Sequence, residues 1–359
     1  MSKLRMGYIG CGFMAQKVHI PNILLLQESC ELVAIAEVRS ELGRKVQQRW
    51  GIPKLYRDHL ELAADPSIEA VAVSGHYANQ GEIAIDLLRA GKYVFLEKPM
   101  AIMLEQAQRI VEAERESGKR LMLGYMKRFD AGNLLAKEML EGYLSSGEMG
   151  AVRYIRNSGI LSEWTAGLDT PMETTDEPMP QTDVRWPDWL PAEHRNAYIG
   201  YLQQYTHNVN LLRWLTGAGD RVQVVSAKLD VQANWGVVVL EVNGVTATIE
   251  SGSCSGHEWN EHTTIYMDGG WIRLDSPVLL LRNVPAGVEV YEGFKPNKET
   301  RKLFPENGRT WPYKEEMRHF IEAVRNDLPF GAPAADAVND VRVLEDIFKK
   351  HLESMAKAQ

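Results

Sequence analysis

The chain has 359 residues, 45% of them hydrophobic, and a net charge of −8 from 40 Lys and Arg against 48 Asp and Glu. That length is more than one hydrophobic core serves, so two domains are expected. The acidic balance without a basic run argues against a nucleic-acid partner, and no stretch is apolar for long enough to span a bilayer.

Met1–Arg5 runs into a strand with no apolar leader core before it, and Cys11, Cys30 and Cys254 show no metal-type spacing. Both features lead us to expect a cytoplasmic protein. Residues 4–125 alternate short apolar runs with helical patterns. Strands are expected at Arg5–Ile9, Leu32–Ala36, Ala70–Val73, Tyr93–Leu96 and Leu121–Leu123. Helices are expected from near Phe13, over Ser40–Trp50, over Gln80–Ala90 before Gly91, and over Leu104–Ser117 before Gly118. Wholly apolar strands separated by helices imply a parallel sheet covered on both faces.

Beyond Gly150 strands follow one another closely: Val152–Arg156, Arg221–Leu229, Trp235–Val242, Val245–Ser251, Thr263–Met267 and Trp271–Leu274. Turns such as Asn243-Gly244 and Asp268-Gly269-Gly270 join them, the signature of an antiparallel sheet. An amphipathic helix at Tyr198–Thr216 interrupts the series, and helices at Tyr313–Asn326 and Ala334–Ala356 close the chain. Residues 165–190, rich in Pro, Thr and Asp, read as a long loop of the kind that often forms a lid.

Two motifs carry chemistry. Gly10-Cys11-Gly12-Phe13-Met14-Ala15 follows the first strand. Gly10 permits a tight turn, Gly12 lets backbone approach a pyrophosphate, and Ala15 stands in the third glycine's place. The helix N-terminus behind them offers amide donors to phosphates. Glu37, 27 residues after Gly10, ends the second strand. A carboxylate there accepts from ribose hydroxyls and repels a 2′-phosphate, which favours NAD; Arg39 keeps NADP as the alternative. The second motif, Glu97-Lys98-Pro99-Met100, places an ammonium group at the end of another buried strand.

These segments resemble the glucose–fructose oxidoreductase, inositol dehydrogenase and rhizopine-catabolism (Gfo/Idh/MocA) family. The resemblance is carried by Gly10-Cys11-Gly12, Glu82–Ile85, Ala90–Val94, Glu97–Ala101, Gly124-Tyr125, Arg128-Phe129, His207 with Leu211–Leu215, and Phe320–Asn326. It implies an α/β chain: a Rossmann doubly wound domain over 1–125, then a substrate-binding and oligomerisation domain over 126–359 with a large, mostly antiparallel open sheet. The final helices pack back on the first domain. The implied activity is NAD(P)-dependent hydride transfer to or from a sugar, cyclitol or related polyol, in a homodimer or homotetramer paired through the open sheet.

The resemblance also implies a site. Gly10, Gly12, Phe13, Met14, Glu37, Arg39, the loop Ser74-Gly75-His76-Tyr77, Gln80, Glu97, Lys98 and Arg128 hold the cofactor. Tyr125, Arg128, Trp164, Gln203 and His207 line the substrate. His207 falls where the family keeps an acid/base histidine, and Lys98 holds the hydroxyl that loses its proton. Several positions depart from the family's pattern. Gln203 replaces an aspartate four residues before the histidine, Asn210 an aspartate three residues after it, Gln80 a histidine, and Met126 an asparagine. Gln203 orients a hydroxyl but takes no proton. These departures keep two other readings open: a glycoside-cleaving enzyme that oxidises transiently, and a non-catalytic dinucleotide-binding regulator. His257, Glu258, Glu261 and His262 resemble a metal site only loosely, and no metal is assigned.

Overall fold

The computed structural model describes residues 2–165, 170–254, 259–306 and 310–358. Its contacts divide into two compact units. The first comprises the described residues of 1–125, 169–187 and 313–341; the second those of 126–168, 188–312 and 342–359.

The first unit is built on a six-stranded sheet in the order β3-β2-β1-β4-β5-β6. Its strands are β1 (Leu4–Ile9), β2 (Cys30–Ala36), β3 (Lys54–Tyr56), β4 (Ala70–Val73), β5 (Tyr93–Glu97) and β6 (Leu121–Gly124). All pairings are parallel. The central strand β4 is apolar and buried along its whole length, as a strand covered on both faces should be. Helices α2 (Ser40–Trp50), α3 (His59–Ala63), α4 (Gln80–Arg89) and α5 (Leu104–Ser117) alternate with them. The helix after β1 passes through a π segment, Ala15–His19, into α1 (Ile20–Leu25). Pro21 lies just beyond that segment and has no N–H to donate to a preceding turn, and the wider π turn absorbs the break.

Sheet order reverses between β1 and β4, so the loops after these two strands are neighbours and diverge, opening a crevice at the carboxyl ends. Ser74 N donates to Ile9 O at 3.1 Å and Tyr8 Oη donates to Ser74 Oγ at 2.6 Å. Gly10, with φ +90°, passes so close that a Cβ would stand 2.7 Å from Ser74 O. The glycine is required there on both counts.

The second unit carries an eight-stranded sheet in the order β14-β13-β12-β11-β7-β10-β9-β8. The strands are β7 (Val152–Leu161), β8 (Val222–Leu229), β9 (Gly236–Val242), β10 (Val245–Ser253), β11 (Asn260–Met267), β12 (Gly270–Ser276), β13 (Gly287–Glu292) and β14 (Glu299–Leu303). Only β7 and β10 pair in parallel. Asn243 and Gly244 both take positive φ in the β9–β10 turn, which matches the twist of the flanking strands. Helices α6 (Ala131–Ser146) and α7 (Arg195–Leu215) belong to this unit. Near the C-terminus come α8 (Pro312–Asn326) and α9 (Ala334–Ala358). Residues 313–341 belong to the first unit and 342–359 to the second.

The start of α6 is tied to the sheet by one buried carboxylate. Asp130 Oδ1 accepts from Gly132 N (2.9 Å), Asn133 N (3.1 Å) and Ala286 N (3.0 Å). Asp130→Ala would strand three buried donors and is expected to destabilise the second unit by about 2–4 kcal/mol, measured by urea unfolding; a loss under about 0.5 kcal/mol would contradict that role.

Candidate active site

In the first unit the sequence-expected cofactor residues collect at the carboxyl ends of β1, β2, β4 and β5. Gly12 has nothing within 4 Å of where a Cβ would sit, leaving the backbone of the turn open, as a pyrophosphate cradle requires. Phe13 and Met14, half-buried, open the helix behind it. Glu37 is buried at the end of β2; its Oε2 accepts from Cys11 N at 2.7 Å and so braces the glycine turn. Its Oε1 accepts from Arg39 N at 3.1 Å and Arg39 Nε at 2.9 Å. The arginine that kept NADP open is therefore folded onto the carboxylate that disfavours it. Cys11 is buried, and burial followed by the Glu37 charge pushes its thiol well up, so it acts as filler rather than as a thiolate.

After β4, Ser74 and Gly75 are half-buried and His76 is exposed. The His76 and Tyr77 rings lie 4.0 Å apart. Gln80 is buried beneath the loop after β5. Its Nε2 donates to Glu97 O at 3.0 Å and also to Pro99 O. Glu97 Oε2 accepts from Lys98 N at 3.0 Å. The Lys98-Pro99 peptide is cis. Both sides of Lys98 are thus fixed by buried groups, while the lysine itself is half-buried. Tyr125, at the end of the unit, is 1% exposed.

In the second unit α7 sorts its residues by helical period. Residues 201, 205, 208 and 212 share one face, and 203, 207, 210 and 214 the opposite one. The first face meets the sheet. Tyr205 Oη accepts from Gly252 N at 2.9 Å and donates to Gly159 O at 3.2 Å. Asn208 Nδ2 donates to Asn157 Oδ1 at 2.9 Å, and Lys127 pairs with Glu261 beside it. The second face carries Gln203, His207 and Asn210. Arg128 Nε donates to Asn210 Oδ1 at 2.9 Å, which brings this expected site residue to the His207 face. His207 is buried at 6% exposure. Trp164 is 43% exposed. Trp189 packs at 5.4 Å from Tyr198, edge to face. The loosely metal-like cluster does not converge where it is described. Glu261 pairs with Lys127, whereas His262 Nδ1 sits 3.0 Å from Asn260 Oδ1. His257 and Glu258 lie outside the described residues.

Residues 4–125 match the profile of an oxidoreductase family with an NAD-binding Rossmann fold, GFO_IDH_MocA. An inositol 2-dehydrogenase of Salmonella paratyphi B is 26% identical over 212 residues, 58% of this chain and 61% of that protein. An inositol 2-dehydrogenase/D-chiro-inositol 3-dehydrogenase of Lacticaseibacillus casei is 29% identical over 258 residues, 69% of this chain and 72% of its own. The chain thus spans about 61% of the length of the first of these relatives. Among solved structures, an aldose-aldose oxidoreductase of Caulobacter crescentus aligns with a TM-score of 0.74 at 19% identity, covering 98% of both chains; the shared fold extends through both units.

Sequence reasoning missed two partners of Glu97, because neither lies near it in the chain. His19 Nε2 is 2.7 Å from Glu97 Oε1, and a carboxyl oxygen of Glu316, on α8, lies within 4.8 Å of atoms of both residues. Glu316 is wholly buried, and among the described residues neither carboxyl oxygen has a hydrogen-bond donor. Burial, and then the Glu97 charge, holds its carboxyl well above the usual range, so it keeps its proton where an unfolded chain would lose it. A group with a raised folded pKa stabilises fully below its unfolded value and loses that contribution as pH rises. Glu316→Gln should therefore match the parent below about pH 4.5 and become progressively more heat-stable than it as pH rises. Melting curves that stay parallel from acid to neutral pH would show instead that Glu316 is ionised in the fold.

Proposed function

We propose, from the premise that the chain belongs through residues 4–125 to the Gfo/Idh/MocA oxidoreductase family, that it transfers a hydride between NAD and a carbinol carbon of a sugar, cyclitol or related polyol. The observation that carries this reading is the Lys98 turn, in which Glu97 and Gln80 fix the backbone on either side of one ammonium-bearing residue. Gly10 and Gly12 give the pyrophosphate its backbone approach. Glu37 receives the adenosine ribose hydroxyls, and Ser74–Tyr77 flank the cofactor. Residues 1–125 serve as the dinucleotide domain and 126–359 as the substrate and oligomerisation domain.

When bound, the nicotinamide accepts or returns the hydride. The chain's own residues manage the proton. Lys98 holds the substrate hydroxyl, and its charge stabilises the oxygen as the O–H bond breaks. His207 takes that proton and returns it in the reverse direction, a task suited to an imidazole near neutral pH. Gln203, one helical turn before His207, orients a second hydroxyl. Arg128, held by Asn210, Tyr125 and Trp164 complete the substrate wall. The relatives named above are dehydrogenases of inositols, which supports a cyclitol or sugar as substrate.

The same reading places the protein in the cytoplasm as a homodimer or homotetramer joined through the eight-stranded sheet. Val225, Val237 and Tyr266 are exposed on three of its strands, an apolar surface of the kind that pairing covers. Cys11, Cys30 and Cys254 are free thiols, as a reducing compartment keeps them. No helix among the described residues is long and apolar enough to cross a membrane.

His207→Ala and Lys98→Ala should each lower turnover by about a hundredfold or more while leaving the Kd for NADH within a few-fold. Steady-state rates on a panel of cyclitols and sugars, beside NADH fluorescence titration, measure both. Near-normal rates in either variant would overturn the assignment of that residue, and turnover on the panel with no net change in NADH would overturn the dehydrogenase reading.

A further inference from the structure

Residues 170–187 form an extended strap against the first unit, along the carboxyl ends of its strands. Lys17 Nζ donates to Thr170 Oγ1 at 3.2 Å, and Gln16 exchanges two hydrogen bonds with the backbone of Glu173, at 3.0 and 2.8 Å. Lys45 Nζ donates to Thr174 O at 3.0 Å. Farther along, Asn79 donates to Thr182 and Arg185 pairs with Glu105. The strap thus runs from the β1 turn past α2 to α4 and α5.

Its most densely hydrogen-bonded contact is with the first turn of α2. The residue that should cap this helix, Arg39, makes no side-chain cap hydrogen bond. The free N–H groups of that turn are met from far away in sequence. Glu177 Oε1 accepts from Glu41 N at 2.9 Å and Ser40 Oγ at 3.4 Å, and Oε2 accepts from Leu42 N at 3.0 Å and Thr175 Oγ1 at 3.2 Å. A carboxylate therefore already occupies these four donors, and the backbone N–H of Glu41 above all lowers its pKa.

This turn immediately follows Glu37 and Arg39, where a Rossmann fold meets the ribose 2′ position. A 2′-phosphate binds there through an arginine and main-chain or hydroxyl donors. Here the Arg39 guanidinium is folded onto Glu37, and Glu177 fills the donors of the α2 turn. Building on the dinucleotide reading above, we propose that Glu177 is a cofactor-specificity residue: the strap places its carboxylate where the 2′-phosphate of NADP would bind, and so restricts the chain to NAD. The exclusion has two parts. The donors are already used, and the carboxylate repels a second anion.

Adenosine 5′-monophosphate and adenosine 2′,5′-bisphosphate probe the site without redox chemistry, and NADH and NADPH probe the whole cofactor. Binding of all four is measured by calorimetry and fluorescence for the parent, Glu177→Gln and Glu177→Ala, with melting curves to verify folding. The expected result is a shift of about tenfold or more toward the 2′-phosphorylated partner of each pair, with the NADH Kd changed by less than about threefold. The glutamine variant keeps the side-chain shape, so a change in the alanine variant alone would assign the effect to lost capping and overturn the proposal. An unchanged preference in both variants overturns it too, while hydride transfer with NAD would leave the functional reading intact. The expected shift without turnover on any polyol would uphold the proposal and overturn the oxidoreductase reading. Failure of every variant to bind any of the four would overturn both.

Discussion

The first unit depends on the buried carboxylate of Glu97. One oxygen faces His19 Nε2, and the other accepts the backbone N–H of Lys98. The same carboxylate thus ties the helix after β1 to the turn after β5, the two segments that hold the glycine turn and the lysine. Gln80 completes the clamp from α4 by donating twice, to Glu97 O and Pro99 O. A buried carboxylate is tolerable only when donors surround it. The segments that supply those donors are therefore held together. Glu316 makes the arrangement stricter still. An ionised Glu316 would place a second, uncompensated charge beside Glu97 in a buried space, so the proton on Glu316 is part of the fold's electrostatics.

At the adenosine end charge is also settled locally, but in the opposite sense. Glu37 is satisfied by Cys11 N and Arg39, and Glu177 by the first turn of α2. Each carboxylate consumes donors that a phosphate at this edge would use. The pyrophosphate cradle at Gly12 is open by contrast. Within one unit, then, Glu37 and the strap's Glu177 together fill donors at the adenosine edge, while the backbone of the glycine turn is left open.

Much of the fold was legible because local signals agreed with the tertiary outcome. Ser40–Trp50, Ala70–Val73 and Leu104–Ser117 fall where the sequence put them, since wholly apolar strands and glycine-closed helices leave little choice. The β3 strand and α3 are three and five residues long and carry too short a pattern to register. The α6 helix escaped notice although Asp130 and Gly147 mark its two ends as caps; its apolar stripe is weak because Gly132, Asn133 and Ala136 share the buried face with Leu140 and Tyr143 while Leu134 and Leu144 are exposed. The β13 and β14 strands are also short, and their alternation is broken by charge. The parallel pairing of β7 with β10 follows from topology rather than from any local run. The glycine turn, Glu37 and the Lys98 motif were legible because cofactor chemistry leaves a fixed spacing. His19, Glu316 and Glu177 were not, because each acts across 78 or more residues of sequence and their residue types are unremarkable in isolation.

The replacement of an expected aspartate by Gln203 acquires a physical sense from α7. The helix has its sheet face anchored by Tyr205 and Asn208, so its other face is presented in fixed register whatever occupies position 203. Exchanging carboxylate for carboxamide there changes charge but not placement. A carboxamide both donates and accepts, so it still selects how a substrate hydroxyl points. It carries no negative charge with which to stabilise an imidazolium at His207, and it takes no proton. Asn210, also a carboxamide where the family often has a carboxylate, holds Arg128 through its oxygen. On the proposed reading both substitutions remove negative charge from one helical face, and Asn210 still holds Arg128. On that reading proton transfer on this face would rest on His207, and substrate selection on the neutral amides. These two departures from the family's pattern thus fall on groups that would choose the substrate and stabilise charge, and they leave in place the two residues that would hold and move the proton.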